Sequence, residues 1–322
     1  MKLQTQLPLQ KEDHQIDYNS RLLLLGSCFA THIGQKLDYF RFQSVQNPFG
    51  ILFQPLAIEK LVVRALGKLY YTGHDVFFLN GRWHCFDAHS SLSDASKEVL
   101  LQKLNDGLDH TREQLTHSTH IIITLGTAWV YRKRDTDNLV ANCHKVPQQQ
   151  FTKEILSIKE IKRSLETLGK QIMKVNANAK IMLTVSPVRH LKDGFVANQQ
   201  SKSHLIAAIH AVLAPNAEHG LSTYFPSYEL MMDELRDYRF YDSDMVHPNQ
   251  LAIAYIWEKF KHVYISEPSQ DIMQKVDAVQ KGLLHRPFNP ESEPYKKHLA
   301  SVRKKIIELQ RIHPFIEFTT QD

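Results

Sequence analysis

Arg21-Leu22-Leu23-Leu24-Leu25-Gly26-Ser27-Cys28-Phe29-Ala30 changes periodicity halfway along. The leucine run reads as a strand buried on both faces, and Phe29, Ile33, Leu37 and Phe40 then recur at helical spacing. Strand, glycine, serine and helix in that order put Ser27 at the mouth of a strand-to-helix turn, on the carboxyl edge of a sheet. Free N–H groups at a helix N-terminus can stabilise developing negative charge there. Ser27 is therefore a candidate nucleophile. It is equally a candidate N-cap, the commoner role for a serine at such a turn.

On either side of this turn the chain alternates buried strands with amphipathic helices. His120–Leu125, Lys180–Val185 and Ser222–Phe225 read as strands; Ser93–Leu115, Ser157–Val175 and Lys202–Leu213 read as helices. This alternation predicts an α/β fold, a mostly parallel sheet with helices on both faces. The strands end at Gly26-Ser27, Gly126-Thr127 and Ser186-Pro187, and ligands of open α/β sheets bind beyond strand carboxyl ends, so these points should converge. Two insertions read as hairpins. Val76–Leu79 and Arg82–Phe86 flank Asn80-Gly81, a type I′ signal, and Trp129–Arg132 and Leu139–Asn142 flank a polar tip. The second hairpin is expected to bring Asn142, Cys143 and His144 back towards Gly126.

A serine hydroxyl needs a base, and the base needs a carboxylate to hold its tautomer. Asp244-Met245-Val246-His247-Pro248 supplies both within one loop, ahead of a helix carried by Leu251, Ala254, Tyr255, Trp257 and Phe260. Cys28 beside Ser27 is a rival nucleophile, but neighbours at a helix start point about a third of a turn apart, so only one of them can face His247. His84-Cys85 and Cys143-His144 carry zinc-type ligands in no compact spacing, so no metal and no cofactor is expected.

In these strings the chain resembles the GSCFA family, which belongs with the SGNH or GDSL-type hydrolases. The resemblance runs through Gly26–Ala30, Asn47-Pro-Phe-Gly-Ile-Leu-Phe53, Gly126-Thr-Ala-Trp-Val-Tyr131, Asn142-Cys-His-Lys145, Ser186-Pro-Val-Arg-His190 and Tyr241–Pro248. It implies a three-layer α/β/α sandwich of flavodoxin-like type and an esterase that cleaves or transfers a small acyl group, on a carbohydrate-like molecule, through an acyl-enzyme. Carried over by position, Ser27 is the nucleophile, selected over Cys28, with Asp244 and His247 completing a triad. The backbone N–H groups of Ser27 and Gly50 form part of the oxyanion hole. Where the superfamily carries Gly-x-Asn-Asp, this chain has Gly126-Thr127-Ala128-Trp129, so the expected asparagine is absent; Asn142 or Asn47 could replace it, with Asn142 preferred. Thr127, His144, Arg189 and His190 are expected to line the pocket. The alternative is a binding module that keeps the fold without turnover.

Composition sets no obstacle to this reading. The chain has 322 residues, 43% of them hydrophobic, and a net charge of +5 spread along its length, unlike a nucleic-acid footprint. Three cysteines and the absence of an apolar leader or a membrane-length run predict a cytoplasmic protein with no membrane partner. A hydrolase domain is expected over residues 1–262. Residues 263–322 read as a helical extension, Gln270–Leu284 and Pro294–Ile312, that packs on the core or on a second copy of the chain.

Overall fold

The structure, a computed structural model, describes residues 4–213 and 219–318. In chain order the strands are β1 (Arg21–Gly26), β2 (Gln43–Gln46), β3 (Val76–Leu79), β4 (Arg82–Cys85), β5 (His120–Leu125), β6 (Trp129–Lys133), β7 (Leu139–Val140), β8 (Phe151–Ile155), β9 (Lys180–Val185) and β10 (Leu221–Phe225). The helices are α1 (Cys28–Tyr39), α2 (Pro55–Leu66), α3 (Lys97–His117), α4 (Ile158–Val175), α5 (Phe195–Val212), the short α6 (Ser227–Glu229), α7 (Gln250–Tyr264), α8 (Glu267–Leu284) and α9 (Glu293–Ile312).

A five-stranded sheet of order β10-β9-β5-β1-β2, parallel throughout, forms the middle layer. Alternation along each strand divides the core in two. Leu23, Leu25, Ile121, Ile123, Ile181 and Leu183 point to the side covered by α2, α3, α4 and α5, while Leu22, Leu24, Ile122 and Met182 point to the side of α1, α7 and α8. Both faces are covered, which is why Leu22, Leu23, Leu24 and Leu25 fill the middle of β1; cutting one of these leucines back to alanine costs about 2–5 kcal/mol. The result is the three-layer α/β/α sandwich.

Numbered by their order in the chain, the sheet strands run 2-1-3-4-5, the flavodoxin-like order, so the connections reverse direction between β1 and β5. The crevice beyond the carboxyl ends of these two strands is where such sheets bind ligands. Gly26 closes β1 at φ +128°, and a Cβ on it would lie 2.0 Å from the Thr124 carbonyl oxygen, so the turn into α1 demands glycine.

Outside the sheet, β3 and β4 pair around Asn80-Gly81, both at positive φ as a type I′ turn requires. The second insertion gains a strand that the sequence pattern did not show: β8 pairs with β6 to make a three-stranded sheet with β7. Helix α5 begins at Phe195, seven residues before the expected start. At the C-terminal end α8 is tied to α1 through Tyr39, whose hydroxyl donates to Asp277 (2.8 Å) and whose carbonyl accepts from Gln280 (2.9 Å). Among the described residues no helix is long and apolar enough to cross a membrane.

Candidate active site

The segment Asn47–Phe53 is stitched across the β1/β5 crevice. Leu52 N–H donates to the Gly26 carbonyl (3.0 Å), and Phe53 O accepts from Gly126 N–H (2.7 Å) and Thr127 N–H (3.0 Å). Ser27 lies buried, with 0% of its surface exposed. It occupies the N-cap position of α1, yet its hydroxyl makes no cap bond and has no hydrogen-bond partner among the described residues.

Asp244 and His247 meet as their spacing suggests. His247 Nδ1 lies 2.6 Å from Asp244 Oδ2, while Asp244 Oδ1 accepts the N–H groups of Val246 and His247, each at 2.9 Å. Those bonds, the His247 backbone donor foremost, hold the Asp244 carboxyl down at about 2, so it is an anion at any working pH. The loop is closed on itself by Asp242 N–H to His247 O (2.7 Å) and by a bridge between Tyr241 and Pro248. Arg189 ties it to the end of β9: its Nη2 donates to Met245 O (2.8 Å), its N–H to Val246 O (3.3 Å), and its guanidinium lies 4.4 Å from the Tyr241 ring centre. The pair is half-exposed, and among the described residues the second nitrogen of the imidazole has no hydrogen-bond partner.

Several of the groups assigned to the oxyanion are hydrogen-bonded within the protein. Ser27 N–H donates to Thr124 O (3.0 Å) and Gly50 N–H to Asn47 O (2.7 Å). Asn47 accepts Gly26 N–H at Oδ1 (2.8 Å) and donates from Nδ2 to Thr31 Oγ1 (3.2 Å), so it builds the turn. Asn142 accepts His144 N–H at Oδ1 (2.9 Å) and donates its own N–H to Phe86 O (3.2 Å), which places it at the seam between the hairpins. A short polar side chain closes its own turn wherever a backbone N–H is within reach, and a sequence pattern does not reveal that. Thr127 is likewise internal, accepting Trp129 N–H (3.0 Å) and meeting Ser201 Oγ (3.1 Å). His144 is buried in the same seam, with Nε2 2.6 Å from Cys85 O.

His190 does face the crevice. Its Nε2 is buried without a partner among the described residues, 3.3 Å from where a Cβ on Gly126 would sit, and its ring stands edge-on to Phe53. Burial first, then the nearby Lys202 and His247 charges, push it down to about 3, so the ring is neutral. Lys202, which sequence reasoning missed, is fully buried and donates to Gly126 O and Ser186 O, both at 2.8 Å, joining the ends of β5 and β9. Burial lowers this amine to about 7 against the opposing influence of Cys28 and Glu229. One signal was available. The inward stripe Leu205, Ala208, Ile209, Val212 continues backwards through Lys202, Ser201 and Asn198, polar residues at core spacing. Among the described residues no group of three or more His, Cys, Asp or Glu side chains is placed to hold a metal ion.

With this geometry in place, comparison with known proteins gives a family. The GSCFA family profile matches residues 21–260, and a second, GSCFA domain protein, C-terminal domain, matches residues 276–321. The chain belongs to the GSCFA family. No curated protein matches it. Among solved structures it is similar to an acetyl xylan esterase (Est2A) from the rumen bacterium Butyrivibrio proteoclasticus, with 12% identity and a TM-score of 0.38, over 76% of this chain and 63% of that one.

Proposed function

We propose that the protein is an SGNH-type ester hydrolase that forms an acyl-enzyme and passes a small acyl group to water or to a sugar hydroxyl. The observation that supports it is the Asp244–His247 pair at 2.6 Å, fixed by a closed loop that Arg189, beyond the end of β9, holds in place. The attacking group comes from the Gly26–Cys28 turn, where the family resemblance selects Ser27. His247 takes its proton on the free ring nitrogen, and Asp244 accepts from Nδ1–H and balances the imidazolium. The developing oxyanion lies near the N-terminus of α1, whose dipole favours negative charge. Turnover of p-nitrophenyl acetate and of acetylated sugars tests this. His247→Ala should lower kcat/KM at least about 10³-fold, and equal rates for the two proteins would exclude the reading.

The binding-module reading is favoured by one observation: the Ser27 hydroxyl is sealed and its backbone N–H is spent on Thr124. A folded protein that binds acetylated sugars but turns none over would decide for it.

A further inference from the structure

His190 stands where the end of β5, the Phe53 segment and the His247 loop meet. Its Nε2 lies 3.3 Å from where a Cβ on Gly126 would sit, and its ring centre is 5.4 Å from that of Phe53. Its own N–H donates to Asn198 Oδ1 (2.9 Å), while the N–H of the preceding Arg189 donates to Val246 O (3.3 Å), which holds residue 190 beside the loop of His247. Gly126 in turn follows the end of β5, the strand that pairs with β1 through Thr124 and Gly26, and Thr124 O accepts Ser27 N–H at 3.0 Å. Contacts on both sides thus seat this imidazole between the serine's turn and the base.

Its Nε2 lacks a partner among the described residues, as does the buried Ser27 hydroxyl. Gly126 spends its N–H on Phe53 O (2.7 Å) and its carbonyl on Lys202 Nζ (2.8 Å), so the residue nearest that nitrogen has its own bonds elsewhere. Leaving a buried imidazole nitrogen unbonded is costly, and such an atom points to a partner that arrives with a ligand. Burial above all holds the ring down at about 3, so it is neutral. With its proton on Nε2 it is a donor that carries no charge and keeps its proton at any working pH.

We infer that His190 Nε2–H is the side-chain donor to the oxyanion, in place of the asparagine that Gly126-Thr127-Ala128-Trp129 lacks. The inference rests on the hydrolase reading above, with Ser27 as nucleophile, and deepens it. As Ser27 Oγ bonds to the acyl carbon and gives its proton to His247, the carbonyl π pair moves onto the oxygen, which accepts from Nε2–H beside the N-terminus of α1. The pair returns as the ester C–O bond breaks and His247 passes its proton to the leaving alcohol oxygen. Water, deprotonated by His247, then attacks the acyl-enzyme through the same oxyanion, and Ser27 recovers its proton as the acid leaves. His190 neither gains nor loses a proton. Its bond strengthens as charge develops, so its contribution falls on kcat.

The test is the steady-state kinetics of p-nitrophenyl acetate hydrolysis by His190→Phe and His190→Gln, with a thermal melt of each. Phenylalanine keeps a ring and removes the donor, so kcat should fall about 100-fold with KM within about threefold. Glutamine, whose amide nitrogen has a reach similar to that of Nε2, should recover at least about tenfold of that loss. His190→Leu takes the place of the phenylalanine variant if that one does not fold. Unchanged kcat, a loss confined to KM, or glutamine no better than phenylalanine in folded protein overturns the assignment, and the hydrolase reading stands as long as wild-type turnover is lost in His247→Ala. A wild type that turns over no ester defeats that reading instead, and titration with methylphosphonate, a stable oxyanion, then decides for His190. Affinity at least about tenfold higher in the wild type than in His190→Phe upholds the donor. Equal affinity, or binding to neither protein, overturns it.

Discussion

Two groups of histidines sit in this molecule in opposite states. In the seam between the hairpins, His84 Nδ1 meets Ser93 Oγ at 2.7 Å, its Nε2 meets Leu79 O at 3.1 Å, and His144 packs on it at 4.8 Å between ring centres, beside Phe77 and Phe86. These rings fill space and bond to carbonyls. At the sheet edge His247 is half-exposed and paired with a carboxylate, and His190 keeps an unpartnered Nε2 above Gly126. Residue type is the same in both; the partner decides. An imidazole bonded to backbone oxygen is a structural donor, whereas one held by an anion, with its second nitrogen free, can move a proton.

The contrast predicts activity loss at one group and stability loss at the other. The largest effect belongs to His247. His247→Ala and Asp244→Asn should each lower kcat steeply, by at least about 10³ for the former, and the double variant should be little worse than His247→Ala, because the two groups act as a unit. Strictly additive losses would separate them. Next comes His190→Phe, expected to lower kcat by about 10- to 100-fold with the melting temperature unchanged or raised, since a buried unpartnered nitrogen stabilises nothing. Unchanged steady-state kinetics would move His190 out of the site.

In the seam the readout is stability against pH. Burial lowers His144 to about 4, below the ordinary histidine value near 6.5, so between those values the unfolded chain binds the extra proton. Its contribution is complete above about pH 6.5 and is lost as pH falls through 4, an amount on the order of 3 kcal/mol. His190 adds a loss in the same direction, from about pH 6.5 towards 3. His144→Phe should flatten the fall in urea midpoint between pH 7 and 4.5 while leaving turnover per folded molecule unchanged. A pH dependence as steep as wild type would mean that other groups carry it.

Much of the fold was legible in the sequence, for a physical reason. β1, β5 and β9 are buried on both faces, so they read as unbroken apolar runs; His120–Leu125 and Lys180–Val185 match the observed strands residue for residue. β2, Gln43–Gln46, is a polar edge strand and β8, Phe151–Ile155, lies in a small half-exposed sheet; neither carries that pattern. The first turns of α5 were missed because Ser201 and Lys202 occupy inward positions where a stripe should be apolar, and Phe195 and Val196 point out. Of the site, Asp244 and His247 were legible because their pairing is local. The burial of Ser27 was not, since it depends on the tertiary structure around the turn.

The smallest expected effect is at Asn142, and it bears directly on which group of histidines does chemistry. Its Oδ1 holds His144 N–H at 2.9 Å, and His144 itself sits at positive φ, 49°, a conformation that this bond helps to fix. Asn142→Ala should therefore cost about 1 kcal/mol of stability, as the loss of one side-chain-to-backbone bond does, and leave kcat within about twofold. Asn142→Asp, which keeps the acceptor and removes the amide donor, separates the two roles. As a turn former it should behave as wild type in stability, whereas an oxyanion donor replaced by an anion should lower kcat by at least about 10². Steady-state kinetics with an urea melt on both variants decides. A kcat loss of that size in Asn142→Asp, with stability intact, would return Asn142 to the oxyanion and join the seam to the site.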